Sequence, residues 1–153
     1  MKTVASSPAT PLSPTDDARA AADLRMATFR LARRLRSQRA VDTMSDGQFA
    51  VLAALKIHGT HTLGELADRE RVSAPSMNRT VNCLEESGYL SRTPDEDDRR
   101  KVNIDLTDAG RDVVEETVRR RDSWLEHALA ELTDQQRATL ASAAEIMTDV
   151  AAR

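Results

Sequence analysis

The chain has 153 residues, of which 40% are hydrophobic and 31% charged, and its net charge is −3. That length fits one domain or one compact unit with two lobes. No run approaches the roughly 20 apolar residues of a spanning helix, and no long apolar run follows Lys2, so neither a membrane span nor a secretory signal is expected.

The single cysteine, Cys83, excludes an internal disulfide. A soluble cytoplasmic protein without a cofactor is the expectation. Aromatic residues make up only 3%, and Ala, Leu, Val, Arg and Asp dominate, which favours helices over sheets. The acidic balance runs against the basic footprint usual for nucleic-acid binders, so the placement of charge matters more than its sum.

Residues 1–15 hold Pro8, Pro11 and Pro14 among Ser and Thr and read as a disordered or interface arm. Asp16 and Asp17 can cap a first helix running to about Val41, with Leu24, Thr28, Leu31 and Leu35 on one face. Between Asp16 and Asp42 seven Arg face four Asp, a local charge of +3. Ser45 with Gln48 forms a capping box for a second helix, which Gly59 ends. Thr62 with Glu65 opens a third, short helix to about Glu70.

After a tight turn at Arg71-Val72, Ser73 caps a fourth helix with Pro75 in its first turn. Met77, Val81 and Leu84 form its buried stripe, and Gly88 ends it. Tyr89 to Thr93 and Lys101 to Leu106 alternate polar and apolar residues, which predicts two strands around a charged tip at residues 94–100. Thr107 caps a long fifth helix marked by Val114, Val118, Leu125, Leu129 and Leu132. Thr133 with Gln136 opens a sixth through Leu140, Ala144, Met147 and Val150.

Two short helices joined by a tight turn form a helix-turn-helix, whose second helix enters the major groove. Here that helix is Ser73 to Ser87. Opposite its buried stripe it carries Ser73, Ser76, Asn78, Arg79, Thr80 and Asn82, types that reach base edges and phosphates. No acid precedes Glu85 on it, and its N-terminal dipole favours phosphate. A hairpin directly behind such a helix can set its tip against the minor groove, where Arg is favoured. Asp98, Arg99 and Arg100 sit at that tip, and a neighbouring acid can hold a guanidinium in a fixed pose.

These pieces resemble the MarR family of bacterial regulators. The resemblance rests on the Arg-rich first helix, Ser45-x-x-Gln48-Phe49-x-x-Leu52, Thr62-Leu63-Gly64-Glu65-Leu66-Ala67 and Val72-Ser73. It continues through Leu84-Glu85-x-x-Gly88-Tyr89-Leu90-x-Arg92, Asp98-Arg99-Arg100 and Leu106-Thr107-x-x-Gly110.

The resemblance implies a mainly α fold with a small two- or three-stranded wing. A winged helix-turn-helix lobe would span residues 45–106, and a helical dimerisation region residues 16–44 and 107–153. It implies a homodimer on pseudopalindromic DNA operators, repressing transcription until a small apolar or phenolic ligand enters a cleft. The exposed apolar stripes of the last two helices independently favour two-fold pairing.

By the same resemblance Arg100 enters the minor groove, Asp98 orients it and Arg99 lies near. Ser73, Ser76, Asn78, Arg79 and Asn82 face the major groove, and Arg92 is counted with the DNA-binding set. Met26, Phe29, Arg30, Met44 and His58 are the candidate cleft liners.

Two features depart from the family pattern. Arg71 stands where Gly is common, and residues 61–104 carry nine acids against seven Lys or Arg, a local charge of −2. DNA binding would then rest on a few placed Arg, and a protein-interaction regulator that kept the fold without binding DNA is the alternative. Cys83 lies away from the first helix, where the family's peroxide sensors carry their cysteine. His58 and His61 have no companion ligands at metal spacing, and His127 reads as a surface or interface residue. No phosphate loop, nucleophile motif or metal pair points to an enzyme.

Overall fold

The computed structural model describes residues 14–95, 98 and 101–153. Among these residues the order is α1 (Pro14–Arg36), α2 (Asp46–His58), β1 (His61–Thr62), α3 (Leu63–Glu70), α4 (Ala74–Glu86), β2 (Leu90–Pro94), β3 (Val102–Leu106), α5 (Asp108–Ala130) and α6 (Asp134–Ala151). The chain divides at Ser37 into two compact units. The first contains α1; the second runs from Gln38 to Arg153 and holds everything else. The arm expected over residues 1–15 lies outside the described residues as far as residue 13.

Among the described residues the first unit holds one helix, which starts earlier and stops sooner than its sequence pattern indicates. Pro14 supplies the preset φ of a first helical turn, and Asp16 and Asp17 sit inside that turn, where the helix dipole favours them. The Ser37 hydroxyl donates to the Arg34 carbonyl at 2.7 Å, taking the acceptor that the next backbone N–H would need. Leu24, Met26, Phe29 and Leu31 are exposed along α1.

In the second unit, tertiary bonds claim the segment that a longer first helix would have used. The Ala40 N–H donates to Thr117 Oγ1 at 3.1 Å. Arg120 Nη1 donates to the Arg39 carbonyl at 2.8 Å, and Arg39 Nη1 donates to the Met44 carbonyl at 2.7 Å. Thr117 is 1% exposed, so its hydroxyl needs a partner, and this segment provides it.

Side-chain caps set the helix starts. Ser45, Thr62 and Thr133 each close a full capping box, with Gln48, Glu65 and Gln136 respectively. Ser73 and Thr107 accept from the backbone N–H groups of Ser76 and Gly110. Two helices end alike. Tyr89 N–H reaches Leu84 O and Gly88 N–H reaches Glu85 O behind α4. Val72 N–H reaches Ala67 O and Arg71 N–H reaches Asp68 O behind α3. This paired closure needs a left-handed residue at its turn. Gly88, at φ +78°, takes that conformation without strain, whereas Arg71 takes it at φ +54° with a side chain attached.

The three strands are antiparallel in the order β1-β3-β2. Leu90 pairs with Leu106 and Arg92 with Ile104. Leu52, Leu66, Val81 and Ile104 are fully buried and mark the centre of a core shared by α2, α3, α4, the sheet and the start of α5. β1 is two residues long, too short for period two to reveal it in the sequence.

At the junction of wing and α5, the Thr107 hydroxyl donates to Gly88 O at 2.6 Å, and Thr107 N–H donates to Tyr89 O at 3.1 Å. A Cβ on Gly110 would lie 2.2 Å from Tyr89 O, so α5 starts against backbone with room only for hydrogen. Gly110→Ala should therefore destabilise the fold by about 1–3 kcal/mol in urea denaturation, as overpacking does.

A second prediction concerns pH. The Thr62 backbone N–H, then its hydroxyl, hold the Glu65 carboxyl below its ordinary value of 4.5. A depressed carboxylate contributes stability above its unfolded pKa and loses it as pH falls through the folded one. Urea midpoints followed downward from pH 5 should drop less steeply for Glu65→Gln, which keeps the box geometry seen at Gln48 and Gln136; equal slopes would refute this.

Candidate nucleic-acid interface

The helix-turn-helix is α3 and α4, joined through Arg71-Val72, with the wing of β2 and β3 directly behind. Met77, Val81 and Leu84 bury one face of α4 in the core. At 100° per residue, Pro75 and Arg79 then point away from it. Arg79 is exposed, and its Nε–H donates back to Pro75 O at 3.4 Å. Ser73 is exposed as the cap, whereas Ser76 and Thr80 are half-buried. Ser76 lends its N–H to the cap, and Thr80 Oγ1 donates to Ser76 O at 3.3 Å.

Asn78, Asn82 and Glu85 recur at i, i+4 and i+7, one residue beyond Met77, Val81 and Leu84. They therefore form a stripe along the flank of the buried face. The structure brings this stripe onto Arg92. Arg92 Nη1 donates to Glu85 Oε2 at 2.6 Å, and Nη2 donates to Asn82 Oδ1 at 2.8 Å and Asn78 Oδ1 at 3.3 Å. Arg92 is half-buried, as are Glu85 and Asn82, while Asn78 remains exposed.

The sequence placed Arg92 among DNA-facing residues and gave Glu85 no part. Strand parity carried the missing signal: Leu90 is buried, so Arg92, two residues on, shares its face and meets α4.

The base of the wing tip is organised by Asp95. Its carboxylate accepts from Asp98 N–H at 2.8 Å and from Asn103 Nδ2 at 2.9 Å. Backbone bonds from Asp95 N to Lys101 O and from Lys101 N to Asp98 O close the hairpin. A short acid folding back on a following backbone N–H, as Asp95 does, is a turn former. Asp98 is half-buried at this turn, and Arg99 and Arg100, expected at the minor groove, lie outside the described residues.

The cleft candidates belong to both units. Met26, Phe29 and Arg30 are exposed on α1 in the first unit. In the second unit Met44 is 6% exposed and packs in the core. His58 is exposed at the end of α2, with its ring 6.4 Å from that of His61. Within that unit a groove of about 750 Å³ runs between α2 and α5, over Phe49, Ala53, Ile57, Val114 and Val118. The Arg121 guanidinium lies 4.4 Å from the centre of the Phe49 ring. Neither Met44 nor His58 lines it.

Cys83 is exposed on α4, with Gln48 Nε2 at 3.1 Å from its sulfur. Among the described residues no cluster of three His, Cys, Asp or Glu could hold a metal, and no helix is long and apolar enough to cross a membrane.

The sequence model of the MarR family matches residues 44–102, from just before α2 to the start of β3. An uncharacterized HTH-type transcriptional regulator from Mycobacterium bovis is 39% identical over 131 residues, covering 86% of this chain and 92% of its own. The chain belongs to the MarR family. It is a DNA-binding transcriptional regulator, and its relatives are regulators rather than enzymes.

Solved structures carry the same fold. A Pseudomonas aeruginosa protein assigned as a transcriptional regulator superposes with a TM-score of 0.81 at 30% identity, over 90% of this chain and 97% of its own. A Staphylococcus aureus MepR mutant bound to an oligodeoxyribonucleotide superposes with a TM-score of 0.68 at 19% identity, over 86% and 96% of the two chains. The shared fold therefore extends well beyond the matched residues, into the helices that follow the wing.

The Arg92 fork makes a stability prediction. A double-mutant cycle of Glu85→Gln and Arg92→Gln in urea should show a coupling of about 0.5–1 kcal/mol, because the pair is only partly shielded from water. A coupling near zero would mean that strand and helix are joined by packing alone.

Proposed function

We propose that this MarR-family regulator is a repressor that binds pseudopalindromic operators as a homodimer and is released by a small apolar or phenolic ligand. The observation that carries the reading is the outer face of α4. Its N-terminal part projects Arg79 and the Ser73 cap, holds no acid before Glu85, and is backed by the wing. A helix N-terminus offers backbone N–H groups and a positive dipole to phosphate. Ser73, Ser76, Asn78, Arg79 and Asn82 supply the major-groove side, and Arg100, steadied by Asp98, the minor-groove side. The oligonucleotide on MepR, which shares the fold, supports this use of the lobe.

The homodimer is supported by uncovered apolar surface. Within the second unit α6 buries no residue and exposes Leu140, Ile146, Met147 and Val150; within the first, α1 exposes Leu24, Phe29 and Leu31. A second copy covers such stripes symmetrically and sets two recognition helices about 34 Å apart, one DNA turn. The groove between α2 and α5 is apolar on its floor, with Lys56, Arg119 and Arg121 balanced by Glu115, Asp122 and Glu126 around it, and suits a small apolar ligand with a polar group at its edge.

Gel shift on operators recovered from genomic DNA tests the reading. Arg79→Ala and Arg100→Ala should each weaken binding roughly tenfold, with Arg100→Ala also flattening preference for narrow-groove A·T tracts. Light scattering at micromolar concentration should give twice the 16.9 kDa chain mass. A monomer, or two variants that bind like the wild type, would contradict it.

A further inference from the structure

We propose that the groove between α2 and α5 takes a cationic amphiphile, an apolar body carrying an ammonium or amidinium group, with Asp122 and Glu126 receiving the charge. The inference rests on the reading of this groove as a ligand site and names the ligand's chemical class. All of the residues lining the groove belong to the second unit.

The polar groups around the groove are sorted by position. Lys56 meets Glu115 and Phe49 meets Arg121, so α2 and α5 run antiparallel along it. Val114 and Val118 follow one another at i and i+4 on the apolar floor. Glu115, Asp122 and Glu126 recur at i, i+7 and i+11, which sets them in one row beside that floor. At the first of the three, Lys56 Nζ takes Glu115 Oε1 at 2.5 Å. Arg119 pairs with Glu116, which does not line the groove. The Arg121 guanidinium lies over the Phe49 ring. Asp122 and Glu126 are exposed at the groove, and among the described residues no base pairs with either.

These two carboxylates decide which polar group a ligand can carry. A neutral or anionic ligand lying on the floor strips water from them and returns no partner, which costs free energy. An ammonium replaces that water with charge-assisted hydrogen bonds. The apolar body meanwhile leaves water for Ala53, Ile57 and Val118. The step from Val118 to Asp122 is one helical turn, roughly 6 Å, which a short alkyl chain between ring and amine spans.

Isothermal titration of the full-length protein tests this with three probes that share one apolar body: 4-phenylbutylamine, 4-phenylbutanol and 4-phenylbutyrate. The amine should bind about fivefold more tightly than the alcohol, and the carboxylate more weakly than either. Asp122→Asn combined with Glu126→Gln should bring the amine to the alcohol's Kd, with the alcohol's own Kd and the melting temperature unchanged. Ile57 is 73% exposed, so Ile57→Gln should fold normally and weaken all three probes alike.

Equal binding of amine and alcohol, or tighter binding of the carboxylate, overturns the cationic assignment and leaves the groove a ligand site. Amine binding that survives Ile57→Gln undiminished overturns it too, because the amine then sits on surface charge elsewhere. No binding of any probe overturns the groove as a small-molecule site, with α1 or a second copy as its cover. Anisotropy of a labelled operator is read separately. An amine that binds as expected without releasing the operator upholds this assignment and overturns the ligand relief proposed above.

Discussion

The lobe turns on the few ångströms between Tyr89 and Gly110. Three elements meet there: the end of α4, the start of the wing and the start of α5. Gly88 lets the chain reverse behind α4, Thr107 bonds to the two carbonyls that follow, and Gly110 admits the Tyr89 carbonyl where a side chain would collide. The angle between recognition helix and wing follows from this joint, and so does the path of α5.

The same logic explains the charge economy of the DNA-reading face. Residues 61–104 are net acidic, yet several acids are engaged within the protein: Glu65 in a cap, Glu85 on Arg92, Asp95 in the hairpin turn. Each is held by donors nearby. Arg79 by contrast bonds only weakly to its own helix and is exposed. Placement, rather than net charge, leaves a positive group on the outer face of α4.

Much of this was legible in the sequence. Caps at Ser45, Thr62, Ser73, Thr107 and Thr133 marked five helix starts within a residue, because a side-chain oxygen three residues before a free N–H is a local event. The stripe Met77, Val81, Leu84 located the buried face of α4, and strand alternation located β2 and β3. The end of α1 was misjudged because its helical pattern ran on through Val41; what stops it is Ser37 locally and, beyond it, bonds to Thr117 and Arg120 some 80 residues away.

The chain by itself determined which helices form, where each begins, and that α4 carries a polar face backed by a wing; all three depend on contacts within a few residues. Only the tertiary structure decided the job of each polar side chain. Asn78, Asn82 and Arg92 are equally fit to touch DNA when read along the chain. The antiparallel register that sets Arg92 beside Ile104, together with its parity with Leu90, turns that arginine onto α4 and gives the two asparagines their orientation. Such a result needs two segments brought together across the fold, and helical or strand periodicity cannot express it.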